Sequence, residues 1–268
     1  MKSEKITFSF GKNWSNFVTT VTAREIESAR RDLEEWLGAS SVEGRTVLDI
    51  GSGSGIHSLC FLSMGASRVR SFDVDPFSVQ ATRTLWEDAG RPASWIVSEG
   101  SVLDRAFLKS LDRFDLVYSW GVLHHTGALW EALHNASSLV RPGGRIFISL
   151  YASGPRYAED LALKRRYNAA SPLGKRLMEW RWIANIMFAR LIHFQNPLSW
   201  NERRERGMNV YHDLIDWLGG LPYEVAGEDE TVIFFRKRGF ILERIKVNGE
   251  GSCNIYVFSL PASAPLDS

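Results

Sequence analysis

The sequence has few of the features that mark secreted, metal-binding or membrane-spanning proteins. Its 268 residues include two cysteines, Cys60 and Cys253, which lie far apart and form no CxxC pair. A disulfide framework or a zinc knuckle is therefore not expected. No run of about 18 apolar residues is present, so no membrane-spanning helix is expected. The segment MKSEKITFSF lacks the apolar core of a signal peptide. Together these absences predict a cytoplasmic protein.

The charged residues also lack a dominant sign, because the formal net charge is only +1. The composition as a whole therefore gives no electrostatic reason to expect a nucleic acid or a membrane as partner. Hydrophobic residues make up 44% of the chain, which is enough for one sizeable core. Ten tryptophans are many for this length and indicate large apolar pockets or lids, or simply a well-filled core.

The segments that are present alternate between strand and helix patterns. RTVLDI, RVRSFDV, SWIVSEG, FDLVYSW and RIFISLY are typical of five strands, and segments with helical spacing separate them. This alternation predicts a parallel, doubly wound α/β sheet with helices on both faces. A helix at DETVIFFRKRG then precedes FILERIKV and CNIYVFSLP, whose short connection NGEGS predicts a terminal antiparallel hairpin.

A long insertion interrupts this pattern after the fifth strand. Residues 151–210 carry eleven Lys and Arg against five Asp and Glu, a local charge of +6, which leaves the rest of the chain near −5. The connection is far longer than such links usually are. We predict four segments: an N-terminal lid and helix (1–44), a cofactor-binding core (45–151), an inserted helical cap (152–226), and a C-terminal helix and hairpin that complete the core sheet (227–268).

A glycine-rich loop follows the first strand in VLDIGSGSGIHSL. Open α/β sheets bind ligands at the carboxyl ends of their strands. The spacing is neither the GxGxxG of a pyrophosphate loop nor a P-loop. Asp49 would repel a phosphate but suits a ligand with an ammonium group. Asp73 ends the second strand, where a carboxylate can accept both hydroxyls of a ribose. The alternative is a helix-capping Asp73 or Asp75 before Pro76, and Asp75 fits the cap better.

VLDIGSGSG, SFDVDPFSVQATR, FDLVYSWGVLHHT and LVRPGGRIFISLY resemble successive motifs of the class I S-adenosylmethionine-dependent methyltransferases. The resemblance covers about residues 45–151. Within the family, the sequence looks most similar to the small-molecule and quinone-type methyltransferases. It implies a Rossmann-like seven-stranded sheet, S-adenosyl-L-methionine as cofactor and S-adenosyl-L-homocysteine as product.

The resemblance also implies contacts with the cofactor. Asp49 and the loop glycines would line its methionine part, Asp73 its ribose and Val74 its adenine. Many members carry an acid where Ser101 stands, which leaves any side-chain contact there in doubt. The residues assigned to the cofactor are Trp14, Asp49, Gly51, Gly53, Gly55, Asp73, Val74, Ser101, Val102 and Trp120.

An aromatic leader, FSFGKNWSNF, precedes the first helix. Phe10 and Trp14 could close over the cofactor, with Asn13 toward its carboxylate, or they could cover the edge of the sheet. Trp120 is expected to wall the sulfonium through a cation–π contact.

Four residues are candidates for catalysis: His124, His125, Tyr211 and His212. A metal held by both His124 and His125 is not expected, because sequence neighbours point to opposite faces of a strand and no acid or cysteine nearby completes a ligand set. One of the pair could face the cleft as a base or as an orienting group, or both could be structural. Tyr211 and His212 could contact the substrate or anchor the cap.

The leading hypothesis is a methyltransferase that acts on a small-molecule acceptor by in-line transfer, with the cap forming most of the pocket. The alternatives are an RNA or protein methyltransferase that docks through the basic insertion, and a non-catalytic cofactor-binding or scaffold protein. A nucleic-acid partner is not expected under the leading hypothesis. The basic, aromatic helix GKRLMEWRWIANIMFARLIH leaves membrane association and a homodimer open.

Overall fold

The computed structural model describes residues 10, 11, 14, 21–201 and 210–263, without the side chain of His212. Seven strands form one sheet in the order β3-β2-β1-β4-β5-β7-β6. Strands β1 to β5 pair in parallel, and β7 pairs antiparallel with both β5 and β6. The predicted sheet and its terminal hairpin are confirmed. The strands are β1 (Thr46–Ile50), β2 (Arg68–Asp73), β3 (Trp95–Glu99), β4 (Phe114–Trp120), β5 (Val140–Tyr151), β6 (Ile241–Lys246) and β7 (Cys253–Ser259).

The helices begin where the sequence offers side-chain caps. Thr22 and Glu25 form a capping box before the first helix, and Asp75 and Asp104 accept backbone N–H groups at the starts of the third and fourth. The helices are α1 (Ala23–Leu37), α2 (Ile56–Ser63), α3 (Pro76–Asp88), α4 (Arg105–Lys109), α5 (Leu129–Ser138), α6 (Tyr157–Ala169), α7 (Pro172–Ile192), α8 (Val210–Gly219) and α9 (Glu228–Arg236), with short 3₁₀ turns at Leu123–His125 and Pro197–Asn201.

Alternation along the strands divides the core between the two faces of the sheet. Val47 and Phe147 pack with α1 and α2 on one face. Leu48 and Ile146 pack with α5 and α9 on the other. Because both faces are covered, the central strands read as apolar runs rather than as alternating patterns.

The fifth strand begins earlier than its apolar pattern indicates. RPGG at residues 141–144 is typical of a turn, but these residues lie inside β5. The register jumps there, since Phe114 pairs with Val140 while Leu116 pairs with Arg145. The chain bulges out of the ladder and re-enters it, with Gly143 at a φ of 81°. A β-bulge therefore replaces the turn.

The insertion leaves and re-enters the core at one place. A parallel bridge joins Ala152 to Ala226, and the N–H of Ala226 donates to the carbonyl of Tyr151. Between these points α6, α7 and α8 pack around Tyr167, Leu214 and Leu218. Within the described part of the chain, no helix has the length and apolar character needed to cross a bilayer.

The contact between α9 and the hairpin gives a test of the fold. Phe235 is fully buried and stacks on Phe258 at 4.2 Å between ring centroids. Phe235→Ala should lower the free energy of unfolding by about 3–5 kcal/mol in urea titrations. Ile233→Ala, on the same helix but 48% exposed, is the matched control and should cost less than about 1 kcal/mol. Equal losses would contradict this placement of α9.

Candidate active site

The loop between β1 and α2 leaves no room for side chains. Gly51, Gly53 and Gly55 all have positive φ values, of 74°, 54° and 83°. A Cβ at Gly51 would lie 2.5 Å from the side chain of Val122, and one at Gly53 would lie 3.0 Å from the ring of Trp14. The backbone of the loop is therefore the surface that a ligand would meet at the carboxyl end of β1.

Asp73 lies beside this loop at the end of β2. One carboxylate oxygen accepts the N–H of Gly53 at 3.0 Å, and the other accepts the N–H of Asp75 at 2.9 Å. Burial raises its pKa to about 6. The capping role belongs to Asp75, whose carboxylate accepts the N–H of Phe77 at the start of α3 and the N–H of Gly11.

Asp49 lies below the loop and is almost fully buried. The hydroxyl of Ser58 donates to its carboxylate at 2.6 Å. Burial nevertheless raises its pKa to about 7, because too few donors replace the lost water. Asp49 lines a small cavity of about 40 Å³ together with the loop, Trp14 and Trp120.

A larger cavity of about 210 Å³ runs along the carboxyl edge of the sheet. Three parts of the chain enclose it: the leader, the ends of the strands and the insertion. Phe10 and Trp14 come from the leader, and Asp213, Asp216 and Trp217 come from α8. The remaining lining residues are Gly51, Asp73, Val74, Asp75, Ser78, Trp120, Gly121, Val122, His124, His125, Thr126, Tyr151 and Cys253.

His124 and His125 both line this cavity and pack against each other, with ring centroids 4.5 Å apart. The expectation that they point to opposite faces is wrong, because they lie in a 3₁₀ turn rather than in a strand. Nδ1 of His124 accepts the N–H of Tyr151 at 3.2 Å, so its proton must be on Nε2. Nδ1 of His125 lies 2.6 Å from the carbonyl oxygen of Pro222 and must donate to it, which leaves Nε2 as an acceptor.

Burial keeps both imidazoles neutral. It lowers the pKa of His124 well below its usual value and that of His125 to about 3. Each is a much weaker base than an exposed histidine. Among the described residues, no group of three or more His, Cys, Asp or Glu side chains is arranged to hold a metal ion.

Tyr211, Ser101 and Val102 do not line the large cavity. The hydroxyl of Tyr211 donates to Glu179 at 3.1 Å and accepts from Arg176 at 2.9 Å, which directs it into the insertion. The hydroxyl of Ser101 accepts the N–H of Leu103, and the carbonyl of Val102 accepts from Asn135. The side chain of His212, and Asn13 as a whole, lie outside the described residues.

A buried lysine lies behind the wall that α8 and β5 build. Nζ of Lys164 donates to the carbonyl of Trp217. It lies 4.6 Å from the ring of Trp217, 4.5 Å from that of Tyr223 and 5.5 Å from that of Tyr151. Burial lowers the pKa of Lys164 to about 7.

Tyr151 and Trp217 line the cavity although the sequence analysis did not predict them. Only the position of Tyr151 at the end of β5 could have indicated it from the sequence.

Comparison with known proteins places this geometry in a family. The family described as "Methyltransferase domain" matches residues 22–212. A tRNA U34 carboxymethyltransferase from Chromohalobacter salexigens is 30% identical over 192 residues, which are 67% of this chain and 55% of the relative. A ribosomal protein L11 methyltransferase from Photobacterium profundum is 35% identical over 116 residues, 43% of this chain and 36% of the relative. The chain spans about half the length of the tRNA-modifying relatives. It spans 36% of the length of the ribosomal protein L11 methyltransferase.

Solved structures agree in fold. A magnesium protoporphyrin IX methyltransferase from Synechocystis PCC 6803 superposes with a TM-score of 0.53 over 90% of this chain and 88% of its own, at 14% identity. An O-methyltransferase family protein from Burkholderia thailandensis gives a TM-score of 0.55 over 87% of this chain and 55% of its own, at 16% identity.

The relatives correct two predictions. The small-molecule acceptor is wrong, and so is the expectation that a nucleic-acid partner is absent, because the relatives that match over most of this chain carry the names of tRNA-modifying enzymes. A nucleic-acid acceptor was not expected because the basic residues of the insertion are mixed with apolar ones and form no recognisable RNA-binding module. The predicted fold, enzyme class and cofactor, S-adenosyl-L-methionine, are confirmed. The chain belongs to the methyltransferase-domain family, among the class I S-adenosylmethionine-dependent methyltransferases.

Proposed function

We propose that this chain transfers the methyl group of S-adenosylmethionine to a nucleoside of an RNA, with tRNA as the substrate class. The observation that carries the proposal is the set of tRNA-modifying relatives, the first of which matches 67% of the chain. The protein-modifying relatives match a smaller share, 43%. An RNA acceptor is therefore favoured over a protein acceptor.

The residues along the sheet edge fit the cofactor. A sulfonium ligand with an amino-acid end needs a carboxylate for its ammonium group and a surface that its chain can approach closely. Asp49 and the loop without side-chain space supply these. Asp73 is fixed by two backbone N–H groups, and its remaining lone pairs suit a ribose diol. The cofactor supplies a methyl group that is already activated by the positive sulfur.

The protein then has to align the acceptor and remove water. In the transfer, the bond from carbon to sulfur breaks as the bond from carbon to the acceptor forms, and the bonding pair stays on sulfur. A protonated acceptor atom passes its proton to water or to a cavity base. An in-line approach requires the acceptor to lie on the side of the methyl group opposite the sulfur. Tyr151, Trp217 and the two histidines line the cavity and would position the acceptor.

The lining of the cavity suits a flat base. Phe10, Tyr151 and Trp217 supply aromatic surfaces, and bases that are turned out of an RNA strand are held by stacking and by hydrogen bonds to their edges. His125, Asp213 and Asp216 add polar groups to the same lining.

The insertion carries the charge that an RNA backbone requires. Arg165 and Arg166 on α6 and Arg181 on α7 are exposed, within a segment whose local charge is +6. Phosphate contacts of this kind supply affinity without sequence selectivity.

The charge inside the cavity favours a methyl group over a carboxymethyl group. The charged side chains among its described lining residues are Asp73, Asp75, Asp213 and Asp216. A carboxylate on the transferred carbon would lie close to these acids, and like charges in a low-dielectric site repel strongly.

The central test is transfer to RNA. Incubation with S-adenosylmethionine and unmodified tRNA transcripts should give methylated nucleosides, identified by mass spectrometry after digestion, which also separates methyl from carboxymethyl products. Asp73→Ala should reduce transfer at low S-adenosylmethionine concentration, because lost ribose contacts should weaken cofactor binding by about 1–3 kcal/mol. Arg165→Glu with Arg166→Glu should lower RNA affinity and reduce its salt dependence. Transfer to small phenols but not to any RNA would sink the proposal.

The affinity for S-adenosylmethionine should depend on pH. Asp49 has a pKa of about 7 when buried, so it is mostly protonated at pH 6 and ionised at pH 8. Its attraction for the ammonium group should therefore strengthen binding by roughly tenfold over this range, with proton release. Calorimetry in buffers of different ionisation enthalpy measures both quantities. Asp49→Asn should remove most of the dependence. An affinity that is constant with pH would exclude this pairing.

The two histidines should differ on substitution. His125→Asn removes this ring from the lining of the cavity, so turnover should fall about tenfold with cofactor affinity unchanged. Loss of a proton-transferring group typically slows turnover by roughly 10²–10⁴-fold. A smaller loss is expected here because the low pKa of His125 makes it a poor base. His124→Asn should act mainly through stability, since this ring supports the backbone of Tyr151. If both variants lose turnover equally, each ring serves only as a structural part of the cavity lining.

A further inference from the structure

The outer side of α7 is apolar along most of its length. Five large side chains there have between 57% and 70% of their surface exposed: Leu173, Leu177, Trp180, Phe188 and Leu191. Together with the exposed Ala184 they form what we call the α7 stripe. With 3.6 residues per turn, spacings of three and four residues place all of them on one face.

The inner side of the same helix is already in use. Met178, Trp182 and Ile183 pack onto Tyr167 and α8, and the buried Glu179 accepts from the hydroxyl of Tyr167 at 2.7 Å. Trp182 lies half a turn of helix away from the centre of the α7 stripe. The stripe is therefore a second apolar face, which the described residues of one chain do not cover.

The exposed area of the α7 stripe is at the lower limit for a protein–protein interface. Aromatic side chains present roughly 150–250 Å² each and leucines somewhat less, so the stripe exposes on the order of 600 Å². Two such stripes would bury about 1,200 Å² in total, where stable interfaces begin. Phe194 and Leu198, just beyond the helix, are also exposed. The largest apolar patch of an ordinary monomer is about 300–600 Å², and a standard interface buries about 800 Å² on each partner.

The stripe is symmetric about its middle. Trp180 and Phe188 lie four residues on either side of Ala184, and Leu177 and Leu191 lie seven residues on either side. A two-fold axis through Ala184 would bring Trp180 against Phe188 of a second helix, and Leu177 against Leu191. The small side chain at the centre would let the two backbones approach closely.

We infer that two copies of this chain pair through the α7 stripe, with the two helices antiparallel and crossing at Ala184. The surface is self-complementary in the sense that a two-fold dimer requires. No charged residue interrupts it. Arg176 and Arg181 instead lie at its two edges, where they remain in water while the stripe is covered.

Because Arg176 and Arg181 flank the α7 stripe, the effect of salt on binding distinguishes a second copy of the chain from other partners of this face. In the dimer they belong to two like-charged helices, so added salt should screen their repulsion and leave the affinity unchanged or stronger. An anionic membrane or an RNA bound to the same helix would instead be released by salt. The dimer does not depend on the proposed RNA substrate, so each can fail without the other.

The test compares substitutions at neighbouring positions in the full chain. Sedimentation equilibrium should show a dimer at micromolar concentration. Ala184→Glu should weaken it by roughly 100-fold or more, because it buries an unpaired carboxylate. Asn185→Glu is the matched control: it adds the same charge at an exposed position about 100° around the helix and should leave the dimer intact.

A second measurement reads the geometry directly. On a two-fold axis a residue meets its own copy, so Ala184→Cys should form an intermolecular disulfide under mild oxidation, whereas Asn185→Cys should not. The unsubstituted chain controls for Cys60 and Cys253. A monomer at all concentrations, or a dimer that Ala184→Glu leaves intact, overturns the inference. Two further results would overturn it: a monomer that floats with anionic vesicles, and a monomer that loses RNA binding on Ala184→Glu.

Discussion

The site depends on how closely other segments approach the loop between β1 and α2. Trp14, Val122 and Thr82 all lie where a Cβ on one of its glycines would be. The loop is therefore fixed from three sides, and its N–H groups have defined partners, such as Asp73 for Gly53. A site whose walls are backbone loses little conformational entropy when a ligand binds, and side-chain changes elsewhere have little access to it.

Burial, rather than direct ion pairing, sets the electrostatic character of the site. Asp49, His125 and Lys164 come from three different segments, and each has its pKa moved toward its neutral form, to about 7, 3 and 7. The common cause is a loss of water that hydrogen bonds replace only in part. A positive sulfonium ligand would therefore meet Asp49 as a carboxyl group that can ionise when the ligand arrives.

The fold could be predicted because its signals are local. Buried strands, caps such as Asp75, and the spacing of the glycine loop each depend on a few adjacent residues. The placement of Asp49, the glycine loop and Asp73 at one edge of the sheet follows from the same signals, since the ends of parallel strands meet there. Tyr151, Trp217 and Lys164 could not be found in this way, because they meet only when the insertion folds back on β5. The 3₁₀ turn that joins His124 and His125 was missed because the strand pattern was extended through it.

The bridge between Ala152 and Ala226 has a consequence for how this architecture can diversify. Because the insertion starts and finishes at adjacent points, its length is nearly free of topological restriction, and closing a longer loop costs only about 0.6 kcal/mol for each doubling. The insertion also contacts the core at His125, through the carbonyl of Pro222, and supplies Asp213, Asp216 and Trp217 to the cavity. A different insertion would therefore give the cavity a different wall, while the hydrogen bond between the glycine loop and Asp73 lies within the core and would remain.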